Sequence, residues 1–173
     1  MNLYHGTVIG GLDVILANSK SHKDGSKVAY FTTDRVYALV CCRPKTENFV
    51  TMGLRGDKKQ HYYERFPNQL RVMYEGREGF IYQPTSTLQL ENIKERSWGS
   101  KTDVPVTLCD HITNVYEEIL KEEKAGNVII HRYEEIDPEE RQMIANGIKE
   151  ELEKGNFSEY REFLYRNFSP IWD

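Results

Sequence analysis

Long apolar runs are missing from this sequence, and no stretch approaches the roughly 20 residues that a bilayer-crossing helix needs. The opening Met-Asn-Leu-Tyr-His-Gly-Thr carries neither a basic nor an apolar leader region, so a cytoplasmic protein with no membrane partner is expected. Cysteine is scarce and poorly spaced. Cys41, Cys42 and Cys109 make an odd count with no C-x-x-C pair, which argues against a disulfide framework or a structural zinc site and fits a reducing compartment. Basic runs are also lacking. The formal net charge is −4, and the densest cluster, Arg55 with Lys58 and Lys59, reads as a solvated loop, so no duplex nucleic-acid surface is evident. Glycine-rich dinucleotide loops, the P-loop, G-x-S-x-G and H-E-x-x-H are all absent. His22, His61, His111 and His131 are read as loop, loop, first helical turn and strand end. None is spaced for metal ligation, so no bound metal is expected.

What is present is an ordinary globular mixture, 39% hydrophobic and 12% aromatic over 173 residues, enough for one well-buried core. Short strand patterns fall at residues 2–7, 28–32, 87–93, 104–108 and 128–130. Residues 18–27 are polar or Gly and read as a loop. Thr33 is placed to cap a helix over 34–42 that Pro44 stops. Residues 62–66 read as a helical turn, and alternation at 70–74 and 80–82 around a glycine turn predicts a β-hairpin. Asp110 is placed to cap a helix carrying Ile112, Val115, Tyr116, Ile119 and Leu120. Asp137-Pro138 starts another helix, and Ser158 opens a last one before Pro170. Strands come mostly first and helices last, which predicts an α+β domain. The expected organisation is one domain over 1–173, with a β-rich core at 1–109 and a mainly helical extension at 110–173.

Two segments carry candidate chemistry. In Leu3-Tyr4-His5-Gly6-Thr7 a histidine leaves a strand directly before a glycine, where its ring can enter a cleft. In Val28-Ala29-Tyr30-Phe31-Thr32-Thr33-Asp34-Arg35-Val36-Tyr37-Ala38 a late strand tyrosine runs into a helix start, where its ring can serve as a stacking wall. Taken singly, each also fits an ordinary half-buried strand residue.

Together and in this order they resemble the ADP-ribosyltransferase superfamily, nearest its diphtheria-toxin and poly(ADP-ribose) polymerase branch. That family carries a histidine in a Tyr-His-Gly-Thr string, a tyrosine in a Tyr-Phe strand entering a helix with Ala further on, and a later glutamate. The likeness runs well through Ala38 and beyond that follows element order only. It implies a split antiparallel sheet core with C-terminal helices, with NAD as substrate and no metal. It also implies that His5 hydrogen-bonds a ribose hydroxyl, Gly6 clamps the nicotinamide carboxamide, Thr7 adds a hydroxyl near the ribose, and Tyr30 stacks on the nicotinamide. The polymerases usually supply another tyrosine shortly after the helix alanine. Here that place is Val40, and Tyr37 stands before Ala38, so the pocket is expected to be built differently.

For the third element the choice is Glu95, ahead of Trp98; another register puts Ser97 there and removes the acid. Glu78 and Glu134 are further contenders. The implied activity is transfer of ADP-ribose from NAD to an acceptor, which is a protein, nucleic acid, small molecule or water. The alternatives are an inactive module of the same fold, binding NAD, ADP-ribose or a protein, or a plain α+β interaction domain. An NAD-dependent RNA 2′-phosphotransferase is disfavoured because no basic cluster lies near His5 or Tyr30.

Overall fold

The computed structural model describes residues 1–21 and 24–172; His22, whose loop placement was expected above, lies outside them. Along the chain, β1 (His5–Thr7), β2 (Val14–Ile15), β3 (Ser19–Lys20) and β4 (Lys27–Thr32) precede α1 (Arg35–Val40). Next come β5 (Thr51–Leu54), β6 (Gln60–Tyr63) and α2 (Gln69–Tyr74). They are followed by β7 (Gly79–Pro84), β8 (Glu91–Lys94), β9 (Ser97–Ser100) and β10 (Val104–Ile112). The last elements are α3 (Val115–Lys124), β11 (Val128–His131), α4 (Pro138–Glu153) and α5 (Arg161–Phe168). The fold is α+β with helices towards the C-terminus. It divides into two compact units, one of Met1–Cys42 with Gly76–Glu118 and the other of Arg43–Glu75 with Ile119–Asp173. The expected boundary after residue 109 does not coincide with this division, because residues 43–75 group with the C-terminal helices. Among the described residues no helix is long and apolar enough to cross a membrane.

The first unit holds two antiparallel four-stranded sheets, ordered β1-β7-β10-β2 and β3-β4-β9-β8. They meet where Tyr4 and Thr32 exchange both backbone hydrogen bonds, at 2.7 and 2.9 Å. Leu3, Ile15, Ala29, Phe31, Tyr82, Leu90, Val104 and Val106 form the core. Strand side chains alternate faces, so burying Ala29 and Phe31 turns Tyr30 to the opposite face of β4. Asp34, not Thr33, caps α1: its Oδ1 accepts from Tyr37 N at 3.1 Å, while Thr33 N donates to Arg96 O at 3.0 Å. Asp110 caps no helix. It lies on β10 and pairs with Arg35 at 2.7 Å, and α3 starts only at Val115. His111 is likewise on β10, not in a helical turn.

The second unit is built on a three-stranded sheet ordered β11-β6-β5, with β11 parallel and β5 antiparallel to β6. Residues 60–63 are strand where a helical turn was expected at 62–66. Gln60 and Tyr62 are buried and alternate with His61 and Tyr63, so His61 is a strand residue. Residues 69–74 are helix where a hairpin strand was expected. Leu70, Met73 and Tyr74 are buried at helical spacing, and Val72, which a strand would have placed on one face with Leu70 and Tyr74, is 46% exposed. The buried Glu64 carboxylate secures this corner, accepting from Leu70 N at 2.8 Å and from Tyr133 N at 3.1 Å. Asp137 caps α4 as expected, through Glu139 N at 2.9 Å and Glu140 N at 3.2 Å. Phe66 packs edge-on against Phe163 and Phe168, joining α5 to this core.

Glu64→Gln replaces one of two buried acceptor oxygens by an amide that faces a backbone donor. The expected outcome is a loss of about 2 kcal/mol of stability. Urea denaturation followed by circular dichroism measures it, with the exposed Glu139→Gln as a neutral control.

Candidate functional site

A cleft of about 420 Å³ opens on the Tyr30 face of β4, and Tyr4, His5, Gly6, Tyr30, Tyr37, Lys94 and Ser97 are among its lining residues. That volume suits a small-molecule ligand. β1 brings His5 to Tyr30 across the seam, and His5 Nδ1 lies 2.8 Å from the Tyr30 carbonyl oxygen. A carbonyl only accepts, so Nδ1 carries the proton and donates. Burial lowers the His5 pKa from its ordinary value, and the bond to the Tyr30 carbonyl only partly offsets this. The ring is therefore neutral at pH 7, with Nε2 as a hydrogen-bond acceptor. A ligand hydroxyl is a fitting donor to it.

Gly6 is required for a reason the sequence did not disclose. A Cβ on Gly6 would lie 1.7 Å from the Ala38 carbonyl oxygen, because α1 rests directly on β1. Tyr37, on the same helix, is 42% exposed and lines the cleft, while Val40 is buried. Three tyrosines therefore line the cleft, Tyr30 from β4, Tyr37 from α1 and Tyr4 just before β1. Thr7 does not line it; its Oγ1 accepts from Ile9 N at 3.2 Å in a local turn.

Glu95, the expected carboxylate, does not reach this cleft. Glu95 lies in the turn between β8 and β9 at φ 37°, exposed and outside the cleft lining. Ser97, paired with Thr32 across β9 and β4, is the residue that faces the cleft. Glu78 is exposed beside His111, with 3.4 Å between them, and Glu134 belongs to the second unit. Among the described residues, no Asp or Glu lines this cleft. Glu91 pairs with Gly99, itself paired with Tyr30. It opens into an adjoining pocket of about 290 Å³. Ile93 lines both spaces and stands over Gly99, where a Cβ would meet its Cδ1 at 2.3 Å.

Two features escaped the sequence reading. Tyr4 lines the cleft, and its adjacency to His5 was the available signal. Buried Asp34 binds Arg96 at 2.6 Å, tying the β8–β9 turn to the start of α1, and no spacing rule links residues so far apart. No group of three His, Cys, Asp or Glu side chains is placed to hold a metal ion among the described residues. No family model, curated protein or solved structure matches this chain.

Two outcomes follow from this geometry. Gly6→Ala forces α1 off β1 and is expected to cost at least about 2 kcal/mol, read as a lower urea midpoint. The depressed His5 pKa also has a definite sign. Its contribution to stability is complete above the unfolded value of about 6.5 and is lost as pH falls towards the lower folded value. His131 is shifted in the same direction. Urea midpoints should therefore fall between pH 7.5 and 5.5, and His5→Gln should shrink that fall without abolishing it.

Proposed function

We propose that this chain is an ADP-ribosyltransferase-like protein that takes NAD in the His5–Tyr30 cleft. The observation that carries this reading is that His5 and Tyr30, the first two elements of the resemblance, are joined by a 2.8 Å hydrogen bond at one cleft. His5 Nε2 accepts from a ribose hydroxyl, and the Tyr30 and Tyr37 rings flank the flat nicotinamide. Lys94 at the rim supplies a cation for the diphosphate. In the transfer, the bond from C1′ of the ribose to nicotinamide breaks, and nicotinamide leaves with the electron pair. Positive charge develops on the ribose until an acceptor nucleophile attacks C1′. The chain's part is to hold the ribose and screen it from bulk water.

Ser97 at the third position favours a second reading, in which the cleft binds NAD or ADP-ribose without turnover. A carboxylate is the group that stabilises a ribosyl cation, and Ser97 supplies only a hydroxyl.

Calorimetric titration with NAD and with ADP-ribose of the parent protein, His5→Ala and Tyr30→Ala tests the binding, and chromatographic detection of released nicotinamide tests the turnover. Saturable binding lost in both variants, with nicotinamide release, is the expected result. Binding without release selects the second reading. Absence of binding at millimolar NAD and at millimolar ADP-ribose overturns both.

A further inference from the structure

The second unit carries a polar cluster with its own chemistry. On one face of its sheet, Tyr63 of β6 stacks on His131 of β11 with ring centroids 4.3 Å apart and planes within 5°. β5 flanks β6 on the side away from β11, and two guanidinium groups, from Arg55 after β5 and Arg65 after β6, approach the same ring. Arg55 lies 5.2 Å and Arg65 5.3 Å from the Tyr63 centroid. Bringing two cations to one ring is unfavourable unless negative charge compensates them.

That compensation is incomplete. Arg65 binds Glu140 at 3.1 Å and Thr51 Oγ1 at 3.1 Å. Arg55 has no carboxylate partner among the described residues; its Nε donates to the Tyr63 hydroxyl at 3.1 Å. Since that hydroxyl oxygen is accepting, its own proton is left to donate. Arg55 Nη groups, the second Arg65 Nη and the Tyr63 O–H thus present donors and no acceptor, the complement of an oxyanion. Lys58 and Lys59 in the adjoining turn add positive charge; Asp57 there is held by His61 Nε2 at 3.1 Å.

We propose that this face binds a tetrahedral oxyanion, the phosphate group of a nucleotide or inorganic phosphate, held by Arg55, Arg65 and the Tyr63 hydroxyl. Its residues lie in the second unit, and those of the His5–Tyr30 cleft lie in the first.

His131 reports on this site. Its pKa is lowered by burial first, then by His61, Arg55 and Arg65, with Glu135 opposing them. An anion beside the two arginines offsets their field. The experiment follows the His131 imidazole resonances by NMR through pH titrations in sulfate and in chloride at matched ionic strength. Sulfate keeps its charge over this range, and His111 in the other unit controls for bulk salt. The expected result is a saturable upward move of the His131 titration in sulfate alone. Arg55→Gln, and Tyr63→Phe, which keeps the ring stack, should each weaken sulfate binding about tenfold. Inorganic phosphate and adenosine monophosphate are then compared: tighter binding of the nucleotide assigns the site to nucleotides, and equal binding assigns it to phosphate itself. A His131 titration identical in sulfate and chloride, or binding undiminished in both variants, overturns the proposal.

Discussion

The paired backbone hydrogen bonds between Tyr4 and Thr32 are the constraint on which the first unit depends. They fasten the edge strand β1 of one sheet to the end of β4 in the other. Because β4 buries Ala29 and Phe31, Tyr30 must face away from the core, and the seam then presents His5 beside it. The cleft is a consequence of closing this seam with a two-residue side-chain period on both strands.

Around the seam the parts hold one another in place. α1 can lie on β1 only because position 6 lacks a side chain, and it delivers Tyr37 to the cleft mouth. The cap of α1, Asp34, is also the anchor for Arg96, so the helix start and the β8–β9 turn are fixed by one carboxylate. This turn brings Lys94 and Ser97 to the cleft and leaves Glu95 outside it.

How much of this was legible in the sequence varies with the range of the interaction. β4, β11 and the Asp137-Pro138 start of α4 were readable because their signals are local: branched runs, a capping acid, a proline at the first helical position. The α2 segment was misread because Leu70, Val72 and Tyr74 alternate as well as Leu70, Met73 and Tyr74 fit a helix. Burial chooses between the two patterns, with Glu64 holding the helix start from outside the segment. In the cleft, His5 and Tyr30 were visible as motif residues, but the side of the turn on which a carboxylate falls depends on the β9 register against β4, and no local pattern encodes that. The Arg55, Lys58 and Lys59 cluster read as a loop of solvated charge. Its relation to Tyr63 and His131 exists only once β5, β6 and β11 are side by side.

The pairing of β1 with β7 has a temporal side. His5 is partnered with Tyr82, and the intervening chain includes all of residues 43–75, which fold into the other unit. During synthesis the first strand therefore emerges long before its partner and stands with an unsatisfied edge. Closing so large a loop is slow relative to local helix formation. The ribosome thus delivers the histidine well before its setting, and the cleft lacks part of its lining until β9, which carries Ser97, has been made.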